Sequence, residues 1–154
     1  MAKHMRTQIR EAVVAALKGL PTTGQNVFPA RDTPVDDSKL PAILVYSRSE
    51  RSVNGAMGSD SGRPVNRTLD LWIVGACRVA GTPPDDVLDQ ICAEVEPVIV
   101  GDATLAGIFA AAGLELISTD FDVPSDAKDK RAGRVGMTWR GTYRTAAGDP
   151  TASV

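Results

Sequence analysis

Few residues of this chain have the chemistry of a catalytic site. Ser59, Asp60, Ser61 and Gly62 have the local order of a serine-nucleophile segment. That nucleophile requires a histidine base held by a carboxylate, and the only histidine is His4, close to the N-terminus. The segment also fails as a G-x-S-x-G elbow, because Asp60 stands where the serine must be. Gly55, Gly58 and Gly62 are not followed by the Gly-Lys-Ser/Thr of a phosphate loop. Cys77 and Cys92 with one histidine cannot complete a four-ligand zinc site. A disulfide between them is geometrically open, but a chain of this length needs no staple, and both read as reduced core thiols. The acidic pairs Asp36/Asp37, Asp85/Asp86 and Asp120/Asp122 have the look of acid–base or metal groups. Asp85 and Asp86 are better explained by the dipole of a helix start, and Asp120 and Asp122 by arginines across a strand pair. Asn66-Arg67-Thr68 fits the glycosylation pattern, which has meaning only in a secreted chain. Neither a metal nor a cofactor is expected.

The arginines say more. Twelve of the seventeen basic residues are arginine, the side chain suited to planar, bidentate pairing with carboxylates. Arg63 and Arg67, flanked by Arg48 and Arg51, surround a tract from 54 to 62 that holds three glycines. Such a rim is either a solvated charged surface or a surface for pairing with acidic groups of another subunit or protein.

These groups must be positioned by a core. Ile9, Val13, Leu17 and Leu20 fall on one helical stripe, backed by Ala12 and Ala16, and Gly19 and Pro21 end the helix. Residues 22–40 read as a turn-rich loop holding one small strand at Val27-Phe28. Pro41-Ala42-Ile43-Leu44-Val45-Tyr46 is β-prone and apolar on both faces, so it predicts a strand covered on both sides. In the strand expected over residues 65–77, Val65, Leu69, Leu71 and Ile73 share a core face that Arg67 interrupts. Asn66, Thr68, Asp70, Trp72 and Val74 share the other, amphiphilic face. A second helix is expected from an N-cap at Thr82 with Pro83 first, an apolar stripe of Val87, Leu88, Ile91, Cys92 and Val95, and an end or kink at Pro97. A short third helix is expected over residues 104–112. A hairpin of residues 114–123 and 133–145 should set Ile117 and Phe121 beside Trp139 and Val135, with Asp120 and Asp122 facing Arg134 and Arg140.

The predicted class is α+β: a mostly antiparallel or mixed sheet with two main helices on one face, forming a single domain over residues 1–147 with a flexible tail over 148–154. With 154 residues, 43% of them hydrophobic and 23% charged, the chain has the composition of one globular domain. The net charge of −2 argues against a dedicated nucleic-acid binder. Arg6 and Arg10 interrupt the first apolar run, and no run reaches the roughly 18 apolar residues of a membrane span, so no signal peptide or membrane partner is expected. The sequence reads as a soluble chain made in a reducing cytoplasm.

Phe28-x-x-Arg31, Val35-Asp36 and Leu40-Pro41-Ala42-Ile43-Leu44-Val45-Tyr46 follow the amphipathic first helix in order. After them come Leu69-Asp70-Leu71-Trp72-Ile73-Val74, the helix from Asp86 to Ile99, and the final strand pair. Over about residues 6–145 this resembles the tail-terminator family of long-tailed phages, the lambda minor tail protein U-like proteins. The chain departs from that pattern by its glycine-rich tract and its Asp149-Pro150 tail.

The resemblance implies a structural virion protein and no enzyme. Six copies would form a ring on the last ring of the tail tube, ending tube polymerisation and presenting the surface for head attachment. It implies as partners further copies of itself, the major tail tube protein, the head–tail connector protein and the end of the tape measure, with DNA passing through the lumen without specific binding. It places the protein at the neck of the virion tail, assembled in the host bacterial cytoplasm. On this reading Arg48, Arg51, Arg63, Arg67, Asp70 and Trp72 lie in a subunit or tube interface, and the loop with Asn54, Gly55, Met57, Gly58 and Asp60 faces the tube or lumen. Another neck part, a connector or tail completion protein, fits the same size and pattern. A small ligand-binding domain or enzyme is the alternative of a different class.

Overall fold

The computed structural model describes residues 1–29, 33–56, 63–123 and 131–154. Helix α1 (Met5–Leu17) buries Met5, Ile9, Val13 and Leu17, one residue per turn along a single stripe. Each such side chain contributes about 1.5–3 kcal/mol when fully buried. Its N-cap is His4, whose Nδ1 accepts the Arg6 N–H. The only histidine is therefore committed to holding a helix start, and burial followed by the nearby Arg6 charge lowers its pKa.

Strand β1 (Val27–Pro29) lies parallel to β2 (Ala42–Asn54), which pairs antiparallel with β3 (Pro64–Val79). Helix α2 (Pro84–Gly101) and helix α3 (Ala103–Ile108) follow, then β4 (Glu115–Asp122), β5 (Arg131–Ala146) and β6 (Asp149–Ser153). The order across the mixed sheet is β1-β2-β3-β5-β4, and β6 pairs with β5. The class is α+β in a single domain, as the residue pattern predicts.

The helices pack on one face of this sheet. Ile43 and Val45 of β2, Leu69, Leu71 and Ile73 of β3, and Val135, Met137, Trp139 and Tyr143 of β5 join the helix stripes in one buried cluster. The β3 faces fall as their alternation predicts. The two-sided apolar start of β2 is covered on its second face as well. There Leu44, Val74 and Ala76 form a small buried cluster under Val35 and Leu40, beside the 3-10 turn Asp37–Lys39.

Several boundaries differ from expectation. Helix α2 starts one residue later than predicted, with Pro83 as N-cap and Pro84 as the proline of its first turn. It continues through Pro97, because Ile99 carries the buried stripe of Leu88, Ile91 and Val95 one further turn. The expected flexible tail instead turns at Gly148, whose φ of 81° suits glycine, and returns as β6. In the C-terminal pair, Phe121 meets Val135 and Asp122 meets Arg134 as expected. A bulge at Ile117 puts Leu116 opposite Trp139 and Asp120 opposite Gly136. Arg140 takes its carboxylate partner from Asp70 of β3, not from β4.

Both cysteines are free, Cys77 buried and Cys92 partly so. Burial, then Glu96 and Asp89, pushes the Cys92 thiol up to about 11, and burial also raises Cys77.

Candidate functional site

The sheet face turned away from the helices carries most of the side chains the sequence singles out. Beyond the Val35–Leu40 cover, neighbouring strands line up Tyr46 with Trp72 and Thr138, then Ser49 with Asp70 and Arg140, Arg51 with Thr68 and Thr142, and Val53 with Asn66 and Arg144. Among the described residues no helix packs over these rows.

Its centre is held in place by neighbouring groups. The Trp72 ring packs 5.9 Å from Tyr46 at an interplanar angle of 45°. It lies so close over β5 that a side-chain carbon at Gly136 would sit 2.3 Å from Trp72 Nε1. Glycine is thus what lets the indole lie against the sheet. Arg48 stacks 5.6 Å above the Trp72 ring and donates to the Thr138 hydroxyl. Trp72 nevertheless remains 37% exposed. Tyr46, Trp72 and Val74 wall a depression of about 200 Å³ whose far side is Phe121, Asp122 and Arg134.

Next to it, Arg140 grips Asp70 through two nitrogens, Nε at 2.7 Å and a terminal nitrogen at 3.0 Å. Ser49 adds a third hydrogen bond. The Arg140 hydrogen bonds hold the Asp70 carboxyl below the ordinary carboxylate range, against the opposing push of burial. A depressed carboxylate contributes most above its unfolded pKa, and that contribution disappears as pH falls through the folded value. An NMR titration should therefore place the Asp70 midpoint below about 3.9, and Arg140→Gln should move it upward.

Arg67 stands apart. It lies on the helix side of the sheet, where its guanidinium meets Glu50 at 3.2 Å and Thr145 at 2.9 Å. Glu50 also takes Arg6 and the Tyr143 hydroxyl, and burial, followed by that hydrogen bond, raises the Tyr143 pKa. Arg67 is thus tied up within the subunit and does not join Asp70 and Trp72. Glu50, Arg6 and Tyr143 are residues the sequence reading missed. The one signal for them is the arginine that interrupts the core face of β3.

Arg51 is exposed on the open face, and Arg63 is exposed at the loop end of the β2–β3 hairpin, where its carbonyl accepts the Ala147 N–H. Asn54 pairs with Val65, and the Gly55 N–H reaches the Pro64 carbonyl. Met57, Gly58 and Asp60 lie outside the described residues, as does Arg31. Among the described residues, no three His, Cys, Asp or Glu side chains come together to hold a metal. No helix there is long and apolar enough to cross a membrane.

The architecture is similar to that of a chain in a solved structure described as the virion of a native gene transfer agent (GTA) particle. The TM-score is 0.50 at 21% identity, over 92% of this chain and 92% of that one. The likeness is one of fold. No protein-family model matches the sequence, and no curated protein matches it.

Proposed function

We propose that this chain is a structural, non-enzymatic component of a phage-like virion, and within it a tail terminator. Six copies form a ring that caps the tail tube, ends its polymerisation and offers the surface for head attachment. One observation carries the reading: a sheet face free of helix cover and set with fixed aromatic and ionic groups. It occurs in a fold similar, over nearly the whole of both chains, to a chain of a gene transfer agent virion. A resemblance in segment order to the tail-terminator family supports the finer role.

On this reading Arg48, Arg51, Asp70 and Trp72 contact a neighbouring copy or the tail tube protein. The loop end of the β2–β3 hairpin, with Asn54, Gly55 and Arg63, points to the tube or lumen. Arg67 serves this surface only indirectly, by fixing β2 through Glu50. The head–tail connector and the end of the tape measure are the remaining partners, and DNA passes the lumen unbound. The virion neck is the proposed location.

The test is Asp70→Arg together with Trp72→Glu, assayed for folding by circular dichroism and for joining to tail tubes in a reconstituted assembly. The expected result is a folded subunit that no longer joins. Unchanged joining by both variants would remove the open face from the interface and with it the main support for the reading.

A further inference from the structure

Among the described residues the sheet has two open edges, and they are chemically opposite. On one side β4 pairs with β5 alone, so among the described strands the outer edge of all eight of its residues is unpaired. Seven of those eight residues are exposed. They include Glu115, Asp120 and Asp122 with no basic residue, and the large apolar side chains of Leu116, Ile117 and Phe121, the last 54% exposed. On the other side β1 covers β2 only from Ile43 to Val45, so among the described strands none pairs with the outer edge of residues 46–54. That edge carries Arg51, with Arg48 at the bulge turning its guanidinium inward over Trp72 and Thr138, and Arg6 and Arg10 of α1 reach the edge at Glu50 and Ser47. Its only acid, Glu50, is already satisfied by Arg6, Arg67 and Tyr143.

Open edges present rows of unpaired backbone donors and acceptors, and proteins guard them against indiscriminate pairing with charges, proline or bulges. β4 has no lysine or proline, but its three carboxylates and its bulge make it a selective edge rather than an unguarded one. Pairing of β4 with its own copy would bring the same three carboxylates of both chains together, and like charges across a strand pair are unfavourable. Pairing of β4 with the basic edge of β2 sets opposite charges side by side. That contact joins two different patches, so it repeats from copy to copy and closes when the rotation allows.

Strand direction agrees. β2, β3, β5 and β4 alternate antiparallel across the sheet. A neighbour's β2 placed beside β4 in the same orientation continues that alternation. Each edge also carries a bulge, with Arg48 as the extra residue on β2 and Ile117 on β4. Bulges bend a strand and raise its twist, which suits a sheet that must curve around an axis.

We propose that the outer edge of β4 in one copy pairs with the outer edge of residues 46–54 of β2 in the next, extending the sheet antiparallel from subunit to subunit. The second copy is the occupant of both edges. This rests on the ring reading above and names the contact that would build the ring.

Two variants test it. R48E/R51E makes both edges acidic, and E115K/D120K/D122K makes both basic. Native mass spectrometry should find each variant monomeric alone, and an equimolar mixture should restore a six-copy ring with the variants alternating. A six-copy ring from either variant alone would overturn the edge contact while leaving the ring itself standing. A monomeric unmodified protein, with and without tail tubes, would overturn both. Hydrogen exchange on the unmodified ring gives a check independent of how the variants fold. Slowed exchange relative to the monomer is expected in residues 115–122 and 46–54 together, and a ring with no added protection at either edge contradicts the proposal.

Discussion

Replacing Glu50 by alanine should lower the stability of the subunit by about 3–5 kcal/mol, the usual cost of removing one partner from a buried ion pair. The Glu50 side chain is only 5% exposed, and that of its partner Arg67 is 16% exposed. The Tyr143 hydroxyl, Arg6 and Arg67 all converge on its two oxygens. Truncation leaves the Arg67 guanidinium and the Tyr143 hydroxyl without their common partner. Water reaches Arg67 poorly, so little of the loss is recovered. Equilibrium urea unfolding measures this, with an unchanged m value showing that stability alone has moved. Glu50→Gln, which retains an acceptor for Tyr143, should cost less than Glu50→Ala. A cost below about 1 kcal/mol for Glu50→Ala, the range of exposed pairs, would mean that the cluster does not lock β2 to β3 and β5.

The second large effect concerns two glycines of β5 that serve opposite faces. At Gly141 a Cβ would lie 2.5 Å from Phe109 and 2.8 Å from Leu114, on the helix side. Gly141→Val should therefore displace the end of α3 and cost about 1–3 kcal/mol, the usual range for overpacking. At Gly136 the clash is with Trp72 on the open face. Gly136→Val should lift the indole and shift its fluorescence, and the loss should appear in joining to tail tubes more than in unfolding. Comparing the two by urea unfolding and by tube joining separates a core position from a surface position on one strand. Equal effects of both in both assays would contradict the assignment of the faces.

Periodicity in the sequence specifies the helices and the two faces of β3, because β3 keeps a continuous register with β5 and its side chains alternate between the faces without a slip. Bulges set the limit. Up to Ser47, the residues of β2 that share Ile43's face point toward the helices. The extra residue Arg48 then reverses the parity, so Glu50 and Ser52, not Ser49 and Arg51, face inward. Nothing in the polar run Ser47-Arg48-Ser49-Glu50-Arg51 marks where the ladder slips, and the Glu50 cluster is hidden for that reason. The bulge at Ile117 has the same effect on β4, where it separated the expected Ile117–Trp139 pair.

The candidate surface was legible in part. Asp70 and Trp72 share a face by alternation alone, but their partners come from distant strands. Arg140 is 70 residues away in sequence from Asp70, and only the β3–β5 register brings the two together. In the tail, glycine, aspartate and proline favour turns. Here a turn at Gly148 is followed by a short strand, in which the Asp149 side chain also holds the Thr151 N–H.

The central claim is that this subunit works by closing a ring on the end of a tail tube. The most direct measurement is the native mass of the purified protein, alone and mixed with tail tubes, combined with electron microscopy of tube length. The account predicts a six-copy ring, seated at one end of tubes whose growth then stops. A protein that remains monomeric at every concentration and leaves tube growth unchanged would contradict it.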